Sequence, residues 1–180
     1  MQFPKKKYNI IYVDPAWTFT FWSNKAQRKV SDKYDLMSAE DIYKLPVNEI
    51  ADENCILFIW VTYPNLIEGL ETIKKWGFQY KTCGFSWIKK NKKADSLFWG
   101  MGYYTRANNE ICLLATKGKP KRISSGVHQV VIDKIREHSR KPDCVRDKIV
   151  KLCGDVPRIE LFARRETQGW DVWGNEVCMT

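Results

Sequence analysis

The sequence predicts an α/β fold: a mostly parallel sheet with helices on both faces. Two observations carry this. Several apolar runs, "YNIIYV", "CILFIWV" and "EICLLA" among them, are continuous rather than alternating, the pattern of strands buried on both faces. Between them lie segments with helical spacing, and strands that alternate with helices make a layered α/β domain. No repeat, low-complexity tract or linker interrupts the 180 residues, so residues 1–180 read as a single domain.

In chain order, "YNIIYV" is the first strand. From Thr18 to Leu36 the pattern dissolves into a polar, basic loop with aromatics, and a loop of that length is usually functional or disordered. "MSAEDIYKL" starts a short helix with Ser38 as N-cap and Asp41 as its capping-box partner. "CILFIWV" is a second strand. Leu66, Ile67, Leu70, Ile73 and Trp76 then recur at helical spacing, with Gly77 as the stop. "YKTCGFSWIK" is a third strand, followed by a second long basic and aromatic loop, Lys89–Asn108. "EICLLATKG" is a fourth strand and "VHQVVID" a fifth. "PDCVRDKIVKLCG" is a helix with Pro142 near its start and Gly154 at its end; Val145, Ile149 and Leu152 form its packing stripe. "RIELFAR" is the last clear strand, and "GWDVWGNE" closes the chain.

Composition narrows the class of function. No apolar run approaches the ~20 residues of a membrane span, and "MQFPKKKY" has no apolar region behind its lysines, so neither a membrane protein nor a secreted one is expected. The six cysteines are scattered, without a C-x-x-C pair, and His128 and His138 stand apart from them; buried free thiols are expected and a zinc site is not. The net charge of +9 favours a polyanionic partner, or is simply a solvated basic surface. Twenty-four aromatic residues, several beside lysine or arginine as in "SWIKKNKK" and "GYYTRANN", tilt the balance toward nucleic acid. Rings that stack on bases next to cations that hold phosphates make such a surface.

The stretch "VDPAW", where the first strand ends, has two readings. It is an ordinary strand exit, or it is a site for chemistry on an amino group. A nucleobase amino nitrogen is a poor nucleophile because its lone pair is delocalised into the ring. Holding both N–H hydrogens on acceptors draws the nitrogen toward a lone-pair-bearing state. Asp14 and the Pro15 carbonyl would be the acceptors, with Pro15 biasing Asp14 to an extended conformation. Trp17 would stack on the extruded base. In an open α/β sheet such groups belong at the carboxyl ends of the strands.

These residues, with "YDLMSAEDIYKLPV", "LFIWVT", "GFQYKTCGFSWIKKN", "GYYTRANNEICLLATKGKP", "REHSRKPDCVRDKI" and "RIELFARRETQGWDVWGNE" in the same order, resemble the MT-A-70 family of S-adenosylmethionine-dependent adenine N(6)-methyltransferases over nearly the whole chain. The resemblance implies a Rossmann-like methyltransferase fold in permuted order, the catalytic motif first and the cofactor strand last. It implies Asp14, Pro15 and Trp17 as catalytic residues. The cofactor, S-adenosylmethionine without a metal, would be bound by Asp14, Asn109, Glu160, Phe162, Arg164, Asn175 and Glu176. Tyr34 and Trp60 would line the acceptor side, and Lys89, Lys90 and Arg106 would contact nucleic acid. His138, Ser139 and Lys141 match an "SHKP"-like segment. Glu160 fits equally a salt-bridged strand end, and Trp60 fits the core. Ala16 stands where the family usually has a second proline. Small members of this kind imply a bacterial or phage enzyme in the cytoplasm acting on DNA. RNA methylation, or a catalytically silent subunit that binds nucleic acid, is the alternative; a homodimer or a methyltransferase-like partner chain is compatible with either.

Overall fold

A computed structural model describes residues 2–18, 37–137, 140–175 and 177. Tyr34, His138, Ser139, Glu176 and most of the first long loop lie outside the described residues.

The apolar run at the start forms β1 (Tyr8–Val13), and the next one β2 (Ala51–Val61). Between them are two short helices, α1 (Ala39–Tyr43) and α2 (Val47–Ile50). Ser38 caps α1: its hydroxyl accepts the Asp41 N–H at 3.1 Å and donates to the Asp41 carboxylate at 2.6 Å. A 3₁₀ turn, Tyr63–Asn65, leads into α3 (Leu66–Lys75), which ends before Gly77 at φ +79°. β3 (Gln79–Lys90), β4 (Glu110–Lys117) and β5 (Val130–Lys134) follow, then α4 (Cys144–Cys153), β6 (Arg158–Leu161) and β7 (Asp171–Trp173). β7 lies within the closing segment that the sequence pattern left without a strand. Three residues are too few to show a period.

The strands form one sheet in the order β5-β3-β4-β2-β1-β6-β7. β1 pairs in parallel with both β2 and β6, β6 with β7, and β3 with β5. Only β4 runs against its neighbours β2 and β3. The sheet is thus mostly parallel, as a Rossmann-like methyltransferase fold requires. Alternate residues of each central strand enter different cores. Ile11, Val13, Leu57 and Ile59 pack with Ile42, Val47, Ile50 and Ile73 from α1, α2 and α3. Ile10, Tyr12, Phe58 and Trp60 pack with Val145, Ile149 and Cys153 from α4. Burial on both faces explains why these strands read as unbroken apolar runs.

The chain leaves β1 toward β2 on one side and returns through β6 on the other. β1 is therefore a topological switch point, and the crevice outside its carboxyl end is where such sheets bind ligands. Asp14 stands there.

Candidate active site

Asp14 follows β1 directly and is partly buried, with its side chain 21% exposed. Both carboxylate oxygens meet the Lys141 ammonium, at 2.8 and 2.9 Å. Lys141 precedes Pro142 in the segment that enters α4, and its side chain is almost wholly buried. It also reaches the Glu110 carboxylate at 3.2 Å and lies 5.7 Å from the centre of the Trp60 ring. Glu110 in turn receives Lys89 at 2.5 Å. Glu110 is the first residue of β4, and because β4 alone is antiparallel, its beginning lies beside the other strands' ends. Two carboxylates and two ammoniums therefore alternate along this edge. Burial acts to raise the Glu110 carboxyl, but Lys141 and Lys89 outweigh it and hold the group below the usual carboxylate range. Burial acts to lower the Lys141 ammonium, but Asp14 and Glu110 raise it on balance.

The backbone after Asp14 is tightly set. The Pro15 carbonyl accepts the Trp17 N–H at 2.8 Å, a three-residue turn centred on Ala16. Ala16 has negative φ, so this is an inverse γ-turn. One lone pair of the Pro15 carbonyl is thereby engaged and one is left. Trp17 is 5% exposed and packs in the core of the α1–α3 face; its indole N–H donates to the Trp60 carbonyl at 2.9 Å. Its ring is a packing ring rather than an open platform. Trp60 is buried too, its indole N–H donating to the Tyr12 hydroxyl at 2.7 Å.

Tyr12, Asp14, Lys141, Glu160, Phe162 and Arg164 line one cleft. Glu160, the third residue of β6, is buried and held by Arg146 of α4 through two bonds, Nε at 2.7 Å and Nη2 at 2.5 Å. The salt-bridged alternative is what the side chain adopts. The Arg146 guanidinium also lies 5.6 Å from the Tyr12 ring centre. Phe162, just past β6, has φ +60°, a left-handed conformation that an L residue adopts only under local constraint. The constraint is visible: the Ala163 N–H donates to the Trp173 carbonyl at 3.0 Å, and a Cβ on Gly174 would sit 2.3 Å from the Ala163 oxygen. Only glycine lets the exits of β6 and β7 approach so closely. Asn175 follows at the exposed end of β7.

Asn109 donates to the Tyr63 hydroxyl at 2.8 Å and the Ser86 hydroxyl at 3.1 Å, a link between the ends of β2 and β3. Of the residues expected to grip phosphates, Lys89 is turned inward onto Glu110, Lys90 pairs with Asp95 at 2.5 Å, and Arg106 is exposed. Glu110, Tyr12 and Arg146 were not singled out by the sequence reading. A lone acid before an apolar run, or an arginine on a packing helix, carries no local signal of its partner.

An edge with a carboxylate, its ammonium partner and a cleft at a sheet switch point is the setting the resemblance described, and the comparison with known proteins decides the family. The MT-A70 family model matches residues 8–176. This chain belongs to the MT-A70 family. It is 34% identical to the Type II methyltransferase M.MunI of Mycoplasma sp., over 98% of this chain and 80% of that one. It is also 26% identical to the Drosophila melanogaster N(6)-adenosine-methyltransferase MT-A70-like protein and 25% identical to the human N(6)-adenosine-methyltransferase catalytic subunit METTL3. Those matches cover 95% of this chain but only 27% and 28% of the two relatives, so the chain spans about a quarter of their length. As an MT-A70 protein it is an adenine N(6)-methyltransferase of nucleic acid.

Proposed function

We propose that this chain transfers a methyl group from S-adenosylmethionine to N(6) of adenine in DNA, in the cytoplasm. The observation that carries the reading is the partly buried Asp14 at the carboxyl end of β1, held by Lys141 and followed by a turn that fixes the Pro15 carbonyl. The greater likeness to a bacterial Type II methyltransferase than to METTL3 supports DNA over RNA.

The cleft beside Asp14 suits the zwitterionic end of the cofactor. Asp14 offers a carboxylate for an ammonium. Arg140 and Arg164 offer cations for a carboxylate, and Arg140 Nε is buried without a hydrogen-bond partner among the described residues. Asp14, Phe162, Arg164 and Asn175 would hold the cofactor, with Asn109 bracing the neighbouring edge. Glu160, with both oxygens on Arg146, builds the wall of the cleft. When bound, S-adenosylmethionine supplies a methyl group on a sulfonium, open to in-line attack.

The chain's own part is to present the nucleophile. Asp14 accepts one N(6)–H and the free lone pair of the Pro15 carbonyl accepts the other, so positive charge developing on nitrogen meets acceptors already in place. Lys141 fixes the plane of the Asp14 carboxylate. The proton released from nitrogen passes first to Asp14 and then to water. Trp17 acts from behind, tying the turn to β2 through the Trp60 carbonyl, so stacking on the base falls to other rings.

Incorporation of label from methyl-tritiated S-adenosylmethionine into DNA and RNA, duplex and single-stranded, tests this. Label at adenine N(6) of DNA is expected. Label in RNA alone would remove the DNA assignment. No label in either, with S-adenosylmethionine binding intact by calorimetry, would make the chain a silent subunit.

A further inference from the structure

The second long loop is a built finger. At its base the Phe98 N–H donates to the Lys89 carbonyl at 2.9 Å, and Asn108 pins both arms: its Oδ1 accepts the Lys89 N–H at 3.0 Å, and its Nδ2 donates to the Lys89 and Phe98 carbonyls at 3.0 and 2.5 Å. One step farther out the Gly100 N–H meets the Ala107 carbonyl at 2.7 Å. Beyond that the chain closes so tightly that a Cβ on Gly102 would lie 1.9 Å from the Thr105 oxygen. This ladder holds the two arms of the finger together at its base.

What the finger displays is unusual for a surface. Trp99 is 62% exposed, Met101 86%, Tyr103 75% and Tyr104 93%. The two tyrosine rings stand edge to face at 4.9 Å, and Arg106 lies against the Met101 sulfur. Large apolar groups gathered at one exposed tip mark a place where something binds. The charge around them says what. From Lys89 to Asn108 the chain carries five cations against Asp95 alone; Lys89 turns inward onto Glu110, Lys90 pairs with Asp95 and Lys92 with Glu137, and Lys93 and Arg106 are left facing outward. A second copy docking by this tip would bring like charge against like. A polyanion that offers flat apolar faces between its phosphates meets both features.

The finger also leaves from the catalytic edge. Its first arm continues β3 through Lys89, and its second enters β4 at Glu110, the residue that holds Lys141 beside Asp14. We infer that this finger is a wedge for duplex DNA, its Trp99 and Tyr104 rings entering the base stack beside the adenine that turns out toward Asp14. Apolar side chains inserted between base steps unstack them, and a base must leave the stack before its amino group is reached. Arg106 and Lys93 would face the flanking phosphates. The inference rests on the proposed action on DNA.

The test pairs Trp99→Ala/Tyr104→Ala with Trp99→Phe/Tyr104→Phe. Methyl transfer is measured on one sequence as duplex and as single strand, and 2-aminopurine at the target position reports flipping in the duplex. Melting temperature and S-adenosylmethionine calorimetry report the fold and the cofactor site. The alanine variant should lose roughly tenfold or more in kcat/KM on duplex, stay near the wild type on single strand and lose the 2-aminopurine signal, while the phenylalanine variant keeps it. Equal losses on both substrates, or none, would overturn the wedge. So would a wild-type dimer that the alanine variant dissolves, since the rings would then belong to a second copy. If the wild type methylates no DNA, the proposed function falls, and the 2-aminopurine signal still decides the wedge.

Discussion

Lys141 holds the Asp14 carboxylate by both oxygens. Its ammonium lies between two carboxylates, Asp14 and Glu110, and its side chain is only 8% exposed. Removing it leaves two partly buried acids facing each other. Lys141→Met should cost roughly 3–5 kcal/mol of stability, the usual penalty for stranding a buried ion, measured by denaturant unfolding, and should abolish methyl transfer. Glu110 adds a pH dependence. Its carboxyl is held below its ordinary value near 4.5 in the folded chain, so the stability it contributes is present above that value and lost as pH falls through the lower, folded one. An acid unfolding limb is therefore expected below about pH 4.5, and Glu110→Gln should flatten it in pH-resolved melting. Ala16 is a simpler case. The centre of an inverse γ-turn needs φ near −75°, close to the value proline imposes, so Ala16→Pro should keep the turn and the methylation rate. A clear loss of rate with an unchanged melting temperature would contradict that. The acid of the "DPAW" stretch was legible because proline and tryptophan follow it in a short run. Glu110 and Lys141 were not read as its partners because they stand far along the chain, and only the sheet brings the three together.

At the scale of elements, the direction of one strand makes the site. β4 is antiparallel to both neighbours, so its first residue, not its last, joins the edge where Asp14 stands. Apolar runs tell where strands are and say nothing of direction, which is why Glu110 went unread. The same limit applied to β7, whose three residues carry no period. Three helices were legible because their spacing and stops are local: Ser38, Gly77 and Gly154 mark ends that the structure keeps, while the four-residue α2 is too short to show a period. α4 does more than pack, since its Arg146 is the partner of Glu160 on β6. The exits of β6 and β7 offer a separate check. A Cβ at Gly174 would press on backbone at Ala163, which cannot yield as a flexible side chain would. Gly174→Ala should cost about 1–3 kcal/mol and weaken S-adenosylmethionine binding more than Gly126→Ala, where a Cβ meets only a serine hydroxyl at 3.9 Å.

The whole molecule combines a sheet buried on both faces with a net charge of +9. The first makes a rigid platform; the second draws it to a polyanion. Binding that depends on phosphate contacts releases counterions. Affinity for DNA should therefore fall by roughly 10³-fold between about 50 and about 200 mM salt if six or more phosphates are held, as fluorescence anisotropy would show. A flat salt response would remove phosphate contacts from the account. The charge and the aromatic content pointed to nucleic acid from composition alone, but composition did not separate inward lysines from outward ones: Lys89 serves the site and Arg106 the surface. The central claim is that Asp14 presents the adenine amino group for methylation. The most direct measurement compares the wild type with Asp14→Ala, by mass spectrometry of nucleosides from DNA incubated with protein and S-adenosylmethionine. The account predicts N(6)-methyl-2′-deoxyadenosine from the wild type and none from the variant, with the variant still folded. N(6)-methyl-2′-deoxyadenosine from the variant at the wild-type rate would contradict it.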